Sequence, residues 1–246
     1  MRFPKRSIAG KFVPATNKRT KIYLDKNGPF EIWKKGDTKE LPLHLYDQYN
    51  LHALIRKRRP LTVLELGSGF SALTIIHALR ANYEEGIATN LEAVRGKVWS
   101  LEGSKSWADN TRAKVPAELM EYADISYSES ETILINGELC HTFKNLPNIT
   151  PEFIYLDGPN PYDVRGEING LGFTQEDGGN RAVLSADVLF YESSLPNGAL
   201  IVVDSRFSNS FFLRRSLKRK YKVSFNHGHR IWLFELKDKL PPLSIF

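Results

Sequence analysis

The sequence predicts an α/β chain built on a doubly wound, mostly parallel sheet. Three observations carry this. Residues 61–79, LTVLELGSGFSALTIIHAL, run from a short apolar strand through a glycine turn into an apolar stretch of helical length. Further short apolar runs at 98–101, 153–156 and 199–203 each end in an acidic residue, Glu102, Asp157 and Asp204. Two last apolar stretches, 221–225 and 230–236, lie close enough in sequence to pair antiparallel.

The glycine turn is the centre of the reading. Glycine admits backbone angles that a Cβ forbids and lets a ligand approach the chain. The helix that follows presents unpaired N–H groups at its first turn. Gly67, Gly69 and Ala72 also fit the loose dinucleotide pattern G-x-G-x-x-G/A. Glu65, two residues before the first glycine, shifts the balance. A carboxylate there repels a pyrophosphate and suits a cation.

Glu65-Leu66-Gly67-Ser68-Gly69-Phe70-Ser71 resembles the first motif of the class I S-adenosylmethionine-dependent methyltransferases, an acidic residue followed by spaced glycines. Ser71 stands where a third glycine is common. The resemblance covers about residues 43–236. It implies a Rossmann-like, doubly wound, seven-stranded, mostly parallel sheet that closes with a C-terminal antiparallel strand pair. It divides the chain into an irregular N-terminal arm, 1–42, and a methyltransferase domain, 43–246.

In order, residues 1 to about 40 are rich in Lys, Pro and Gly and read as an irregular arm with a short strand at Lys21–Leu24. Leu43 to Arg58 reads as a helix with Leu43, Tyr46, Tyr49 and Leu54 near one face, stopped by Pro60. Strand Thr62–Leu66 and helix Ser71–Asn82 follow. Residues 83–96 read as a polar connection. Strand Val98–Leu101 ends at Glu102-Gly103, where an acidic residue can accept the two ribose hydroxyls of a nucleoside with its two oxygens. Its distance from Gly69 exceeds the usual spacing of about 20 residues, which the insertion at 83–96 explains.

Ser104 is placed to cap a helix to about Val115, before Pro116. Ala123–Ser128 reads as a strand, and 131–143 as a hairpin about Asn136-Gly137. Phe153–Leu156 leads to Asp157-Gly158-Pro159. The long glycine-rich stretch Asn160–Asn180 reads as a substrate loop or lid, with Arg165 placed to pair with an acidic acceptor group. Helices at Arg181–Tyr191 and Asn209–Leu217 flank strand Ala199–Val203.

From these placements the expected cofactor contacts are Glu65, Gly67, Ser68, Gly69, Ser71, Glu102, Gly103 and Asp157. Asp157, Asp204 and His227 are the expected catalytic residues. The resemblance further implies a divalent cation, Mg²⁺, at Asp157 and Asp204, as in some small-molecule and sugar O-methyltransferases. Those enzymes often carry a second Asp or Asn where this chain has Ser205. His227 and His229 lack a flanking ligand for zinc. The ordinary roles of these acids are turn former at Asp157 and helix cap at Asp204.

The predicted activity is S-adenosyl-L-methionine-dependent methylation, on oxygen, of a small molecule or saccharide. The Asn/Asp-Pro-Pro-Tyr/Phe motif of amino-directed enzymes is replaced here by Asp157-Gly158-Pro159-Asn160. The rivals are an RNA methyltransferase, an NAD-dependent oxidoreductase and a non-catalytic cofactor-binding protein. A net charge of +6 and basic runs at 56–59 and 214–220 favour the first, though such runs are commonly solvated surface and no nucleic-acid module accompanies them. The 246 residues suffice for a sizeable core, the single Cys140 excludes an intrachain disulfide, and no apolar run approaches membrane-spanning length. The start of the chain lacks the apolar stretch of a signal peptide, and Pro4 and Pro14 interrupt any transit helix, so a cytoplasmic location is expected.

Overall fold

The computed structural model describes residues 45–89, 93–204, 206–226 and 231–238. The arm expected at 1–42, Ser205, His227 and His229 lie outside the described residues.

The elements run α1 (Leu45–Arg58), β1 (Thr62–Leu66), α2 (Phe70–Ala88), β2 (Lys97–Glu102), α3 (Lys105–Lys114), β3 (Ala123–Tyr127), β4 (Ser130–Ile135), β5 (Glu138–Phe143), β6 (Phe153–Leu156), β7 (Val164–Arg165), α4 (Asp187–Tyr191), β8 (Leu200–Val203), α5 (Phe207–Ser216), β9 (Tyr221–Asn226) and β10 (Ile231–Leu236). Seven strands form one sheet in the order β3-β2-β1-β6-β8-β10-β9. The first five are parallel, and β10 runs antiparallel to both β8 and β9. The predicted doubly wound, seven-stranded sheet with its closing antiparallel pair is therefore present.

The central strands read as continuous apolar runs because both faces are covered. Their side chains alternate between two cores. Val63, Val98, Phe153, Tyr155, Leu200 and Val202 pack against α1 and α2 on one face. Leu64, Leu66, Ile154, Leu156, Ile201 and Val203 meet α4 and α5 on the other.

Three local expectations change. Helix α2 continues to Ala88 instead of ending near Asn82, because its last turns are anchored. Arg80 pairs with Glu84 along the helix, and Glu85 receives Arg56 and Arg59 from the end of α1 and just beyond it. The helix expected over 181–191 forms only from Asp187. The residues before it give their backbone groups to β5: His141 N–H donates to Leu184 O and Ala186 N–H to His141 O, at 2.8 and 2.9 Å. The long stretch after β6 is only partly irregular. Its Val164–Arg165 strand extends the β4–β5 hairpin into a second sheet, β5-β4-β7. The hairpin itself turns as predicted, with Asn136 and Gly137 both at positive φ, 51° and 81°.

Candidate active site

Register brings the strand ends together. Leu66 of β1 lies beside Leu101 of β2 and Leu156 of β6, and Leu156 lies beside Val203 of β8. Gly67, Glu102, Asp157 and Asp204 therefore leave the sheet at one edge, where open α/β sheets take ligands. Backbone bonds tie the turns. Gly67 N–H donates to Leu101 O at 2.8 Å, and Asp157 and Gly158 N–H both donate to Leu66 O at 3.0 and 2.7 Å. Gly67 has φ +98°, and a Cβ on it would meet Gly158 N at 2.4 Å, so this crossing requires glycine.

A cleft of about 430 Å³ opens between these turns, lined by Gly67, Ser68, Glu102, Trp107, Asp157, Asp163 and Arg206 among others. Glu102 organises its floor. One carboxylate oxygen accepts the Ser68 N–H at 2.8 Å and the Ser68 hydroxyl at 3.1 Å. The other accepts the Ser104 N–H at 3.1 Å. A single side chain thus joins the turn after β1 to the turn after β2. Burial pushes the Glu102 pKa up, hydrogen bonds from Ser68 and Ser104 oppose this, and the charge of Asp163 adds to it. Trp107 on α3 donates its indole N–H to Ser68 O at 2.9 Å, which fixes the ring at the cleft wall.

Glu65 is placed differently from its expected role. It shares the side of β1 with Val63, points beneath the N-terminus of α2 and is wholly buried. Ser100, opposite it on β2, donates a 2.5 Å hydrogen bond to Oε2, and Ser71 bonds to it from α2. Burial pushes its pKa up to about 8, so at neutral pH it carries a proton. Glu102, Asp157 and Asp163 line the cleft itself, and they, not Glu65, give it its acidic character. Of the expected cofactor residues, Gly67, Ser68, Glu102 and Asp157 line it, Gly69 and Gly103 border it, and Glu65 and Ser71 lie below it.

Asp157 and Asp204 are hydrogen-bonded to each other. Burial first, then the Asp204 charge, raises the Asp157 pKa, with Asp47 of α1 adding to the rise and Arg206 opposing it. Two carboxylates in contact hold a proton between them at a pH where isolated ones would not. Among the described residues no three His, Cys, Asp or Glu side chains converge as a metal set would. The Asp157–Asp204 pair expected to hold Mg²⁺ has the Arg206 guanidinium beside it, whose charge opposes a cation there. Arg206 donates to Pro159 O at 2.9 Å, closing the far wall of the cleft. Arg165, expected to face an acceptor, lies exposed on β7.

Asp163 falls within the stretch expected to be a substrate loop, whereas the sequence alone does not place Trp107, Arg206 and Asp47 at the site. Trp107 left a signal, a lone large apolar residue in the first turn of an otherwise polar helix. Asp47 left none, since only tertiary packing of α1 brings it near β6.

No family model and no curated protein sequence matches the chain. Solved structures do. A putative caffeoyl-CoA O-methyltransferase from Staphylococcus aureus superposes with a TM-score of 0.54 at 12% identity, over 90% of this chain and all (100%) of that one. A methyltransferase from Geobacter sulfurreducens gives 0.51 at 14% identity, over 92% and 100%. An S-adenosylhomocysteine-bound methyltransferase from Podospora anserina gives 0.50 at 14% identity, over 95% and 100%. The chain has the class I methyltransferase fold. Within this methyltransferase fold the cleft occupies the carboxyl edge of β1, β2 and β6, and the Asp157–Asp204 pair stands at its β8 side.

Proposed function

We propose that the protein is an S-adenosylmethionine-dependent methyltransferase acting on an oxygen of a small molecule or saccharide. The observation that carries this is the acidic lining of the cleft: Glu102 and Asp163, with Asp157 beside them sharing a proton with Asp204, against one guanidinium, Arg206. Such a cleft attracts a sulfonium and an ammonium and disfavours a pyrophosphate, which argues for S-adenosylmethionine over NAD. The Staphylococcus aureus protein, a putative caffeoyl-CoA O-methyltransferase, and the bound S-adenosylhomocysteine of the Podospora anserina protein support the same reading.

S-adenosylmethionine supplies an electrophilic methyl on a good leaving group, so the protein's work is placement. Glu102 retains lone pairs for ribose hydroxyls beyond those it gives to Ser68 and Ser104. The Gly67–Gly69 backbone leaves room for the methionine portion, and Trp107 bounds the cleft on the α3 side. The Asp157–Asp204 pair shares one proton and so keeps one carboxylate charge at the β8 side, which can take the proton that an acceptor hydroxyl gives up.

The arginines of the run 56–59 support a small acceptor over RNA: Arg56 and Arg59 pair with Glu85, and Arg58 with Glu235. Among the described residues no helix is long and apolar enough to cross a membrane. The single cysteine, Cys140, is buried and unpaired, in keeping with a reducing, cytoplasmic setting.

Calorimetric titration with S-adenosylmethionine and S-adenosylhomocysteine, with NADH as control, tests the reading. Binding of the sulfur ligands alone is expected, followed by acceptor-dependent release of S-adenosylhomocysteine without need of added Mg²⁺. Binding of NADH alone overturns it.

A further inference from the structure

Among the described residues Arg206 is the one basic side chain that lines the acidic cleft. Elsewhere on the chain arginines close on carboxylates, Arg58 on Glu235 at 2.8 Å and Arg219 on Asp238 at 3.2 Å. Arg206 closes on none among the described residues, although its charge bears on Asp157. Its Nη1 donates to the Pro159 carbonyl oxygen at 2.9 Å, which fixes the guanidinium at the cleft wall. The other donors of the fork are left without a protein partner. The side chain is half-buried. A partly desolvated guanidinium with free donors is a site for an anion with two oxygens.

Position decides which anion. Arg206 follows β8 but reaches back to the turn after β6, where Pro159 lies. Pro159 in turn stands against the turn after β2: a Cβ on Gly103 would meet Pro159 Cβ at 3.4 Å. The guanidinium and the Glu102 carboxylate thus face one cleft from its two ends. The order β2-β1-β6 separates them by about two strand spacings, roughly 9–10 Å. A nucleoside held at its ribose by Glu102 crosses that distance only through the group on its 5′ carbon. In S-adenosylmethionine that group is a sulfur and a short carbon arm ending in an α-amino acid.

The charges agree with this end of the molecule. Asp157 and Asp204 keep one negative charge between them, and Arg206 stands beside Asp157. A carboxylate on an acceptor would meet that negative charge with nothing to offset it. An amino acid brings its ammonium one carbon from its carboxylate. The ammonium answers the Asp157 side and the carboxylate answers Arg206.

We propose that Arg206 is the receptor for the carboxylate of the cofactor's amino-acid end. The cofactor then lies with its ribose at Glu102, its sulfur over the Gly67 turn and its carboxylate toward β8. This rests on the S-adenosylmethionine reading of the cleft. Because the same guanidinium holds Pro159 O, the carboxylate site and the turn after β6 are tied through one side chain.

Calorimetry on the full chain tests the assignment with three ligands: S-adenosylhomocysteine, its α-carboxamide, and 5′-methylthioadenosine, which ends just past the sulfur. The wild-type protein should prefer the acid to the amide by about ten- to hundredfold. Arg206→Gln should lose that preference, binding the acid as weakly as wild type binds the amide, and should bind 5′-methylthioadenosine as wild type does. Arg206→Lys keeps the charge without the fork and should restore part of the preference. A variant that still prefers the acid overturns the assignment. So does an Arg206→Gln protein that loses 5′-methylthioadenosine as much as S-adenosylhomocysteine, since the damage then runs through Pro159 and the shape of the cleft. Equal binding of acid and amide by wild type overturns it too, and that comparison needs no variant to fold. Failure of wild type to bind any of the three overturns the cofactor reading itself, and the assignment with it.

Discussion

Gly67 and Gly158 lie backbone against backbone where β1 and β6 leave the sheet: a Cβ on Gly158 would stand 2.5 Å from Gly67 Cα. The Gly158 N–H is meanwhile held by Leu66 O at 2.7 Å, so neither turn can back away. This contact sets the width of the cleft. Gly158→Ala should cost about 2 kcal/mol or more, through overpacking against backbone. That lowers Tm by about 4–8 °C for a chain of this size and abolishes binding of S-adenosylhomocysteine. Gly67→Ala adds strain at positive φ. Gly103→Ala is the milder comparison, because its Cβ would meet side-chain carbons of Asp163 and Pro159 at 3.3 and 3.4 Å. Thermal scans and calorimetry on the three variants check the order, and a Gly158→Ala protein as stable as wild type would refute the contact.

Glu65 makes stability fall as pH rises. Its folded-state pKa is about 8, above the ordinary value of 4.5. Between those limits the folded chain keeps a proton that the unfolded chain has lost. The stability it contributes is thus complete below about pH 4.5 and is lost progressively up to about pH 8, with a limiting slope of about 1.4 kcal/mol per pH unit. Asp187, pushed up to about 6 by burial, acts in the same direction over a narrower window. Glu65→Gln has the shape of the protonated acid and does not titrate. Urea denaturation at pH 5 and pH 8 should show the variant close to wild type at the lower pH and more stable at the higher. Equal pH slopes in the two proteins would exclude a buried, protonated Glu65.

The strand-and-glycine framework was legible because its signals are local. A buried parallel strand must be a short apolar run, and a tight crossing must be glycine, so Thr62–Leu66, Phe153–Leu156 and Gly67 stand out in the sequence alone. Glu102 and Asp157 followed from where strands end. Glu65 was misplaced for a reason that is also physical. Side chains alternate across a strand, and whether position 65 faces the cleft or the α2 side depends on the phase of β1 against its neighbours. The contents of the second sheet were not legible, since β7 is only two residues long and exists through its pairing with β4. The shortened α4 was hidden likewise: residues 184–186 have helical neighbours in sequence, but β5 takes their backbone bonds.

Removing Glu102 should damage binding more than folding. Its carboxylate ties the Ser68 and Ser104 turns and faces the cleft while being only 5% exposed. Hydrogen bonds to a charged group are worth about 1.5–3 kcal/mol, so Glu102→Ala is expected to weaken S-adenosylhomocysteine by roughly ten- to hundredfold or more. Glu102→Gln keeps one acceptor oxygen and should lose less. Calorimetry with adenosine alone locates the effect: an equal loss for adenosine and for S-adenosylhomocysteine assigns it to the nucleoside, and an unchanged adenosine affinity would remove Glu102 from ribose binding.

The carboxylates that line the cleft also predict how it distinguishes substrate from product. S-adenosylmethionine carries a sulfonium that S-adenosylhomocysteine lacks, and the two are otherwise alike. A positive charge favours ionised carboxylates, so the sulfonium should gain affinity as Asp157 loses its proton. Burial and Asp204 hold that proton above the ordinary carboxylate range. The preference for S-adenosylmethionine over S-adenosylhomocysteine should therefore increase as pH is raised from 5 to 8, and binding of S-adenosylmethionine should release protons in that interval while the product releases fewer. Asp157→Asn keeps a hydrogen-bond donor toward Asp204 but fixes the charge at that position, which should flatten the pH dependence of the ratio. Titrations in buffers of different ionisation enthalpy measure both quantities. A ratio that stays constant with pH in the wild-type protein would separate the Asp157–Asp204 pair from the sulfonium and move the reacting centre elsewhere along the strand ends.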